Sequence, residues 1–160
     1  ANTGSGGIWA KGFGNVDLNG SVILNNAFTG SGAGGGGMTL DGSHLNTDGT
    51  LWQGNSTSQN GGALLVRNNG SVDPRSTNAA SRFIANSAQG LTGAVLIESN
   101  GSYWCGGHGP LFSGNTDTQS GPNSVGTFRD SIAMNGTLDI NWPGQSRSGP
   151  AALQLMYSWC

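Results

Sequence analysis

A recurring order of residue types runs through this chain. A bulky apolar residue leads to an asparagine, a short stretch of small polar residues follows, and a Gly-Gly-Ala-like turn then opens an apolar strand. The fullest copy is Leu51 to Val66, with Asn55 and Gly61-Gly62-Ala63 in it. Upstream, Ile23 to Asn26 precede Gly36-Gly37-Met38-Thr39-Leu40. Downstream, Phe83 to Asn86 precede Thr92-Gly93-Ala94, and Phe112 to Asn115 precede Gly121-Pro122. The last copy pairs Asp139-Ile140-Asn141 with Gly149-Pro150-Ala151. The marker asparagines at 26, 55, 86, 115 and 141 are 29, 31, 29 and 26 residues apart. Repeats of this size are stacked units, each burying its apolar face only against its neighbours. Three short strands and three turns use about 30 residues, one coil of a β-helix or one layer of a β-prism. The expected fold is therefore all-β: an elongated, repeat-built β-helix or β-prism-like rod of about five repeats. Residues 8–160 form one domain after a linker or tail over 1–7.

Composition narrows the alternatives. Lys11 and Glu98 are the only lysine and glutamate, so the straight-chain residues that favour exposed helix are nearly missing. Net charge is -2 with 9% charged residues, which leaves no basic face for phosphate neutralisation and argues against nucleic acid as a partner. Apolar runs such as Ala63 to Val66 fall far short of the roughly 20 residues that span a bilayer, so no membrane insertion is expected. The 30 glycines lie between regularly spaced apolar clusters, unlike a disordered low-complexity chain.

Turn signals recur as Asn19-Gly20, Asp41-Gly42, Asp48-Gly49, Asn69-Gly70, Asn100-Gly101 and Asn135-Gly136, each followed by Ser or Thr. Asn-Gly predicts a type I′ hairpin turn, in which both central residues take positive φ. Gly30 to Gly37 reads as a flexible loop, the alternative being close approach of backbones from neighbouring chains. The segment from Val72 to Ser81 reads as an excursion between layers, and Ala151 to Cys160 as a capping strand.

No catalytic constellation is complete. Cys105 and His108 have only Cys160 and His44 to finish a zinc set, whereas structural zinc uses four ligands in close pairs; His44 reads as a solvated turn residue. No metal or cofactor is called for. Glycan cleavage needs two carboxylates flanking the bond, for which Asp117, Asp130, Asp139 and Glu98 are the candidates. The remaining chemistry is aromatic and polar. Of the tryptophans, Trp52 and Trp159 read as packed, while Trp104 and Trp142 read as loop residues able to stack on a sugar face or anchor a protein contact. The candidate binding residues are Tyr103, Trp104, His108, Asn141, Trp142 and Gln145. Cys105 and Cys160 suit one disulfide, closing a loop worth roughly 4 kcal/mol in the chain-entropy model and implying an oxidising compartment; the alternative is two buried thiols.

Two resemblances follow from particular stretches. Gly7 to Gly20, Arg82 to Asn86 and Ala94 to Gly101 resemble the distal repeats of bacteriophage tail fibres, which are homotrimeric receptor-binding rods, and related adhesins at pilus tips. The alternation of Phe83 to Asn86 and Phe112 to Asn115 with Gly61 to Leu64 is similar to the Phe-x-x-Asn and Gly-Gly-Ala repeats of polymorphic autotransporter adhesins, which form parallel β-helices. Both resemblances imply an extracellular, non-enzymatic adhesin, on a virion tail fibre or pilus tip. Its partner would be a bacterial surface glycan such as lipopolysaccharide, or an outer-membrane protein. The tail-fibre resemblance implies a homotrimer. A short β-helix polysaccharide depolymerase and a purely structural shaft are the rival expectations.

Overall fold

A computed structural model describes residues 5–12, 14–73, 79–98, 100–105 and 110–118; for 104, 105 and three strands beyond 118 the backbone alone is described. The described residues contain strands and turns and no helix. They form a parallel β-solenoid whose rungs each supply one strand to each of four sheets. The first rung holds β1 (Ile8–Lys11), β2 (Asn15–Asp17), β3 (Val22–Leu24) and β4 (Ala27–Phe28). The second holds β5 (Met38–Asp41), β6 (His44–Asn46), β7 (Leu51–Gln53) and β8 (Ser56–Thr57). The third holds β9 (Leu64–Arg67), β10 (Ser71–Asp73), β11 (Arg82–Ile84) and β12 (Ser87–Ala88), and the fourth β13 (Val95–Ile97), β14 (Ser102–Cys105), β15 (Leu111–Ser113) and β16 (Thr116–Asp117). Beyond them, β17 (Ile132–Met134) and β18 (Thr137–Ile140) continue the first two sheets, and β19 (Ser146–Ser148) pairs antiparallel with β18.

Parallel strands need long crossovers, and here each crossover is the rest of the coil. Every parallel ladder joins residues about one repeat apart in the same chain, as in Ile23 with Trp52, Trp52 with Phe83 and Phe83 with Phe112. The coils thus close within one chain, which decides for the solenoid and against a prism built from several chains. The repeat holds four strands rather than the expected three, because a two-residue strand follows each marker asparagine.

Alternation along the strands directs Met38, Leu40, Leu45, Trp52, Leu64, Val66, Val72, Phe83, Val95, Ile97 and Tyr103 into one contiguous core. Within it Trp52 and Phe83 stack at 5.7 Å and 6°, and Phe83 and Phe112 at 5.0 Å and 18°. Offset stacking of this kind adds about 0.5–1.5 kcal/mol per pair beyond burial.

Several expectations are corrected. The Asn-Gly turns among the described residues are corners between sheets and not hairpins; the antiparallel pair among the described strands is β18 with β19. At the turn from Arg67 to Gly70, both central residues, Asn68 (φ 52) and Asn69 (φ 64), are left-handed, and the Gly70 N–H donates to the Arg67 carbonyl at 2.9 Å. The type I′ turn is therefore centred one residue earlier than Asn69-Gly70. Gly34 to Gly37 are buried and are not a flexible loop. A Cβ on Gly36 would overlap the carbonyl oxygens of Gly62 and Ser56, so the close approach is between successive coils of this chain and not between chains. Ser5 and Gly6 already bond the Gly35 carbonyl at 3.1 and 3.0 Å, so the inner end of the expected tail belongs to the first rung. Val72 and Asp73 lie in β10 rather than in an excursion. Asp139 pairs with Trp104 on the second sheet, not with Ser113 on the third. The fourth marker interval, from 115 to 141, is therefore a coincidence of spacing and not a structural repeat.

Candidate binding groove

The marker asparagines build the corner that positions the candidate site. Asn26, Asn55, Asn86 and Asn115 stack one per rung, the last three fully buried. The Asn55 N–H and Nδ2 both donate to Asn86 Oδ1, at 3.0 and 2.9 Å, and Nδ2 also donates to the Ile23 carbonyl at 2.9 Å. Asn86 repeats this toward Asn115 and the Trp52 carbonyl. Asn26 donates to Asn55 Oδ1 at 3.1 and 3.0 Å. A buried amide is tolerable only when bonded, and Asn55 and Asn86 meet that condition through the rungs on either side. The residue before each marker, Asn25, Gly54, Ala85 or Gly114, is left-handed with φ of 52–64°, which turns the chain sharply from the third sheet into the fourth.

Immediately after the ladder, backbone bonds hold Ser56 N–H to the Asn26 carbonyl (2.8 Å), Ser87 N–H to that of Asn55 (2.9 Å) and Thr116 N–H to that of Asn86 (2.9 Å). In the two-residue strands β4, β8, β12 and β16 the second residues Phe28, Thr57, Ala88 and Asp117 are buried. Alternation turns the flanking residues to the opposite face. One lane carries Ser56, Ser87 and Thr116; the other, two residues on, carries Ser58, Gln89 and Thr118. Between them runs a groove of about 300 Å³. That lies at the lower end of ligand-site volumes, about 300–1,000 Å³.

Among the described residues, the hydroxyls of Ser56, Ser87 and Thr116 have no protein hydrogen-bond partner, whereas Ser58 Oγ donates weakly to the Gly30 carbonyl at 3.4 Å and Thr118 Oγ1 to that of Gln89. The first lane is thus a column of unengaged donors and acceptors at rung spacing, about 4.8 Å. The ionisable group in the lining is Asp117, 8% exposed, which accepts from the Thr92 N–H at 3.1 Å. Among the described residues no aromatic face is open to the groove: Phe28 is 2% exposed and lies under Gly30 and Gly34.

The residues singled out in the sequence fall elsewhere. Tyr103 is wholly buried opposite Val72, its hydroxyl without a partner, and burial pushes its pKa well above the ordinary value. It is a core residue and offers no ring to a ligand, because its register with Val72, and of Val72 with Leu45, turns it inward. Trp104 sits in strand β14 rather than in a loop. His108, Asn141, Trp142, Gln145 and Cys160 lie outside the described residues, as does the side chain of Cys105, so the expected disulfide is outside them too. His44 is a strand residue and not a solvated turn: Nδ1 bonds Ser71 Oγ at 2.7 Å and Nε2 bonds Asn46 Oδ1 at 3.0 Å. Among the described residues no three His, Cys, Asp or Glu side chains are grouped for a metal ion. Of the candidate carboxylates, Asp117 belongs to the fourth sheet, Asp139 to the second, and Glu98 follows the first; Asp130 lies outside the described residues.

Two features escaped the sequence reading. The groove had a signal, a Ser or Thr one position after Asn55, Asn86 and Asn115 and a polar residue three positions after all four markers, which reads as loop composition until the asparagine is known to be buried. The other is Trp9, 41% exposed on the outer face of the first sheet with Lys11 Nζ 5.5 Å from its ring centroid. Its outward turn follows from strand alternation with Ile8 and Ala10.

Comparison of the chain with family models, with curated proteins and with solved structures finds no match.

Proposed function

We propose that this chain is a non-enzymatic surface-recognition module, an adhesin tip displayed outside the cell or virion, that binds a bacterial surface glycan or outer-membrane component along the fourth sheet. The observation that carries this reading is the column of Ser56, Ser87 and Thr116, whose hydroxyls have no partner among the described residues although their backbones are locked by the asparagine ladder. A rigid scaffold presenting unengaged polar groups at fixed spacing loses little entropy on binding. Hydrogen bonds without an aromatic platform make a weak single site, so several copies displayed together would supply avidity. The exposed apolar residues Val22, Leu24 and Leu111 on the outer face of the third sheet offer a surface for assembly into the proposed homotrimer.

The test is binding of the labelled chain to a panel of Gram-negative cells. Each hydroxyl hydrogen bond contributes roughly 0.5–1.5 kcal/mol. The combined Ser56→Ala, Ser87→Ala and Thr116→Val variant therefore loses about 1.5–4.5 kcal/mol, on the order of 10- to 1,000-fold in affinity. Its urea midpoint stays that of the parent, because these hydroxyls bond nothing in the fold. Unchanged cell binding by a folded triple variant would sink the proposal.

A further inference from the structure

We infer that the ligand of this groove is a neutral, linear, hydroxyl-rich glycan lying along the solenoid axis, with about one sugar unit per rung; the inference rests on the surface-recognition reading above. Direction comes from the topology. The two lanes repeat from rung to rung, across the strands, so equivalent groups recur along the axis at about 4.8 Å. Along a strand the fourth sheet offers only two residues. A ligand that meets equivalent contacts repeatedly must therefore run across the strands, and a linear polymer with a sugar-length repeat does so.

Charge selects the class. Among the described residues no lysine, arginine or glutamate lines the groove, and Asp117 is buried against the Thr92 N–H. A sulfated, phosphorylated or uronic-acid chain would find no counter-charge there, and a basic peptide would find no accessible carboxylate. The two lanes do not pair as a peptide needs. Ladder hydrogen bonds of the fourth sheet are already made between rungs, so a bound strand would have only side-chain hydroxyls and the Gln89 amide to satisfy its backbone. Hydroxyls that both donate and accept match sugar hydroxyls, which also do both. Among the described lining residues no aromatic face is open, so recognition there rests on the hydroxyl pattern and not on ring stacking.

The extent of the site is set by the rungs. Thr29, Ser58, Gln89 and Thr118 mark four rungs along one lane, so contacts accumulate over about four sugar units and then stop.

The experiment uses the intact chain and the cells it binds. Cells are treated with periodate, which cleaves vicinal diols of sugars, or with protease, and binding is compared at low and high salt. Size-fractionated neutral oligosaccharides, released from the same cells by mild acid, are then titrated calorimetrically. The expected result is loss of binding after periodate, retention after protease and less than twofold change between about 50 and 500 mM salt, since neutral contacts are not screened. Affinity for the oligosaccharides should rise with length to about four units and level off, and the triple hydroxyl variant should lose it. Binding that survives periodate and fails after protease, or that falls tenfold with salt, overturns this inference. If the triple variant is still impaired, recognition through the groove stands with a ligand of another class. If the triple variant binds cells like the parent, recognition through the groove itself fails.

Discussion

Replacing Asn86 by alanine tests the idea that the asparagine ladder holds the solenoid corner. Asn86 Oδ1 accepts from the N–H and Nδ2 of Asn55 at 3.0 and 2.9 Å, and its Nδ2 donates to Asn115 Oδ1 and the Trp52 carbonyl at 2.9 and 3.0 Å. The substitution removes all four bonds at a fully buried position. At about 1 kcal/mol each the loss is about 4 kcal/mol, with a range of roughly 2–6 kcal/mol because the groups left behind are buried and unpaired. Asn26 is the internal comparison. It sits in the first rung and its side chain donates only to Asn55 Oδ1 at 3.0 Å and to the Leu24 carbonyl at 3.2 Å, so Asn26→Ala should cost about 1 kcal/mol. Urea unfolding followed by tryptophan fluorescence measures both. A third variant, Asn86→Asp, keeps the acceptor but loses both donors and sets a carboxylate against two carbonyl oxygens. Burial and those oxygens hold its folded pKa above the unfolded value, so its destabilisation is least below about pH 4 and grows as pH rises through the folded pKa. Loss of less than about 1 kcal/mol in Asn86→Ala, or equal losses at 26 and 86, would refute the ladder as the corner's main support.

Three further outcomes are expected. Ala85 holds φ at 52° where the equivalent positions 54 and 114 are glycine, so Ala85→Gly should stabilise by about 0.5–1 kcal/mol and Gly114→Ala should destabilise by a similar amount, read as shifts of the urea midpoint in opposite directions. Gly36→Ala drives a methyl into the backbone carbonyls of Gly62 and Ser56, which have no flexible end to move aside, and should cost at least about 3 kcal/mol. At Asp41, burial raises the carboxyl pKa, but hydrogen bonds from Asn68 (2.6 Å) and Arg67 (3.0 Å) and the charges of Arg67 and Lys11 outweigh it, so the folded value lies below the ordinary one. Its stabilisation is present above about pH 4 and disappears as pH falls through the folded value; Asp41→Asn should flatten that acid limb of stability, and an unchanged limb would contradict the assignment.

The spacing of the marker asparagines, the near absence of lysine and glutamate, and the short apolar alternations were enough to determine an all-β repeat fold. Those signals are local: alternation and turn chemistry act within a few residues, so one dimension carries them. Register, a relation between residues about 30 apart, exists only once the coils stack. Register turned Asn55, Asn86 and Asn115 from turn-like asparagines into a buried ladder, since a stacked amide and a solvated one look alike in sequence. It made Gly36 a point of contact between coils, because the clash that demands glycine comes from Gly62 in the next rung. Stacking in register also withdrew Tyr103 from the surface and slid Asp139 off the third sheet. The groove has the same origin: Ser56, Ser87 and Thr116 are three dispersed small polar residues until the ladder sets them one above another and leaves their hydroxyls unspent.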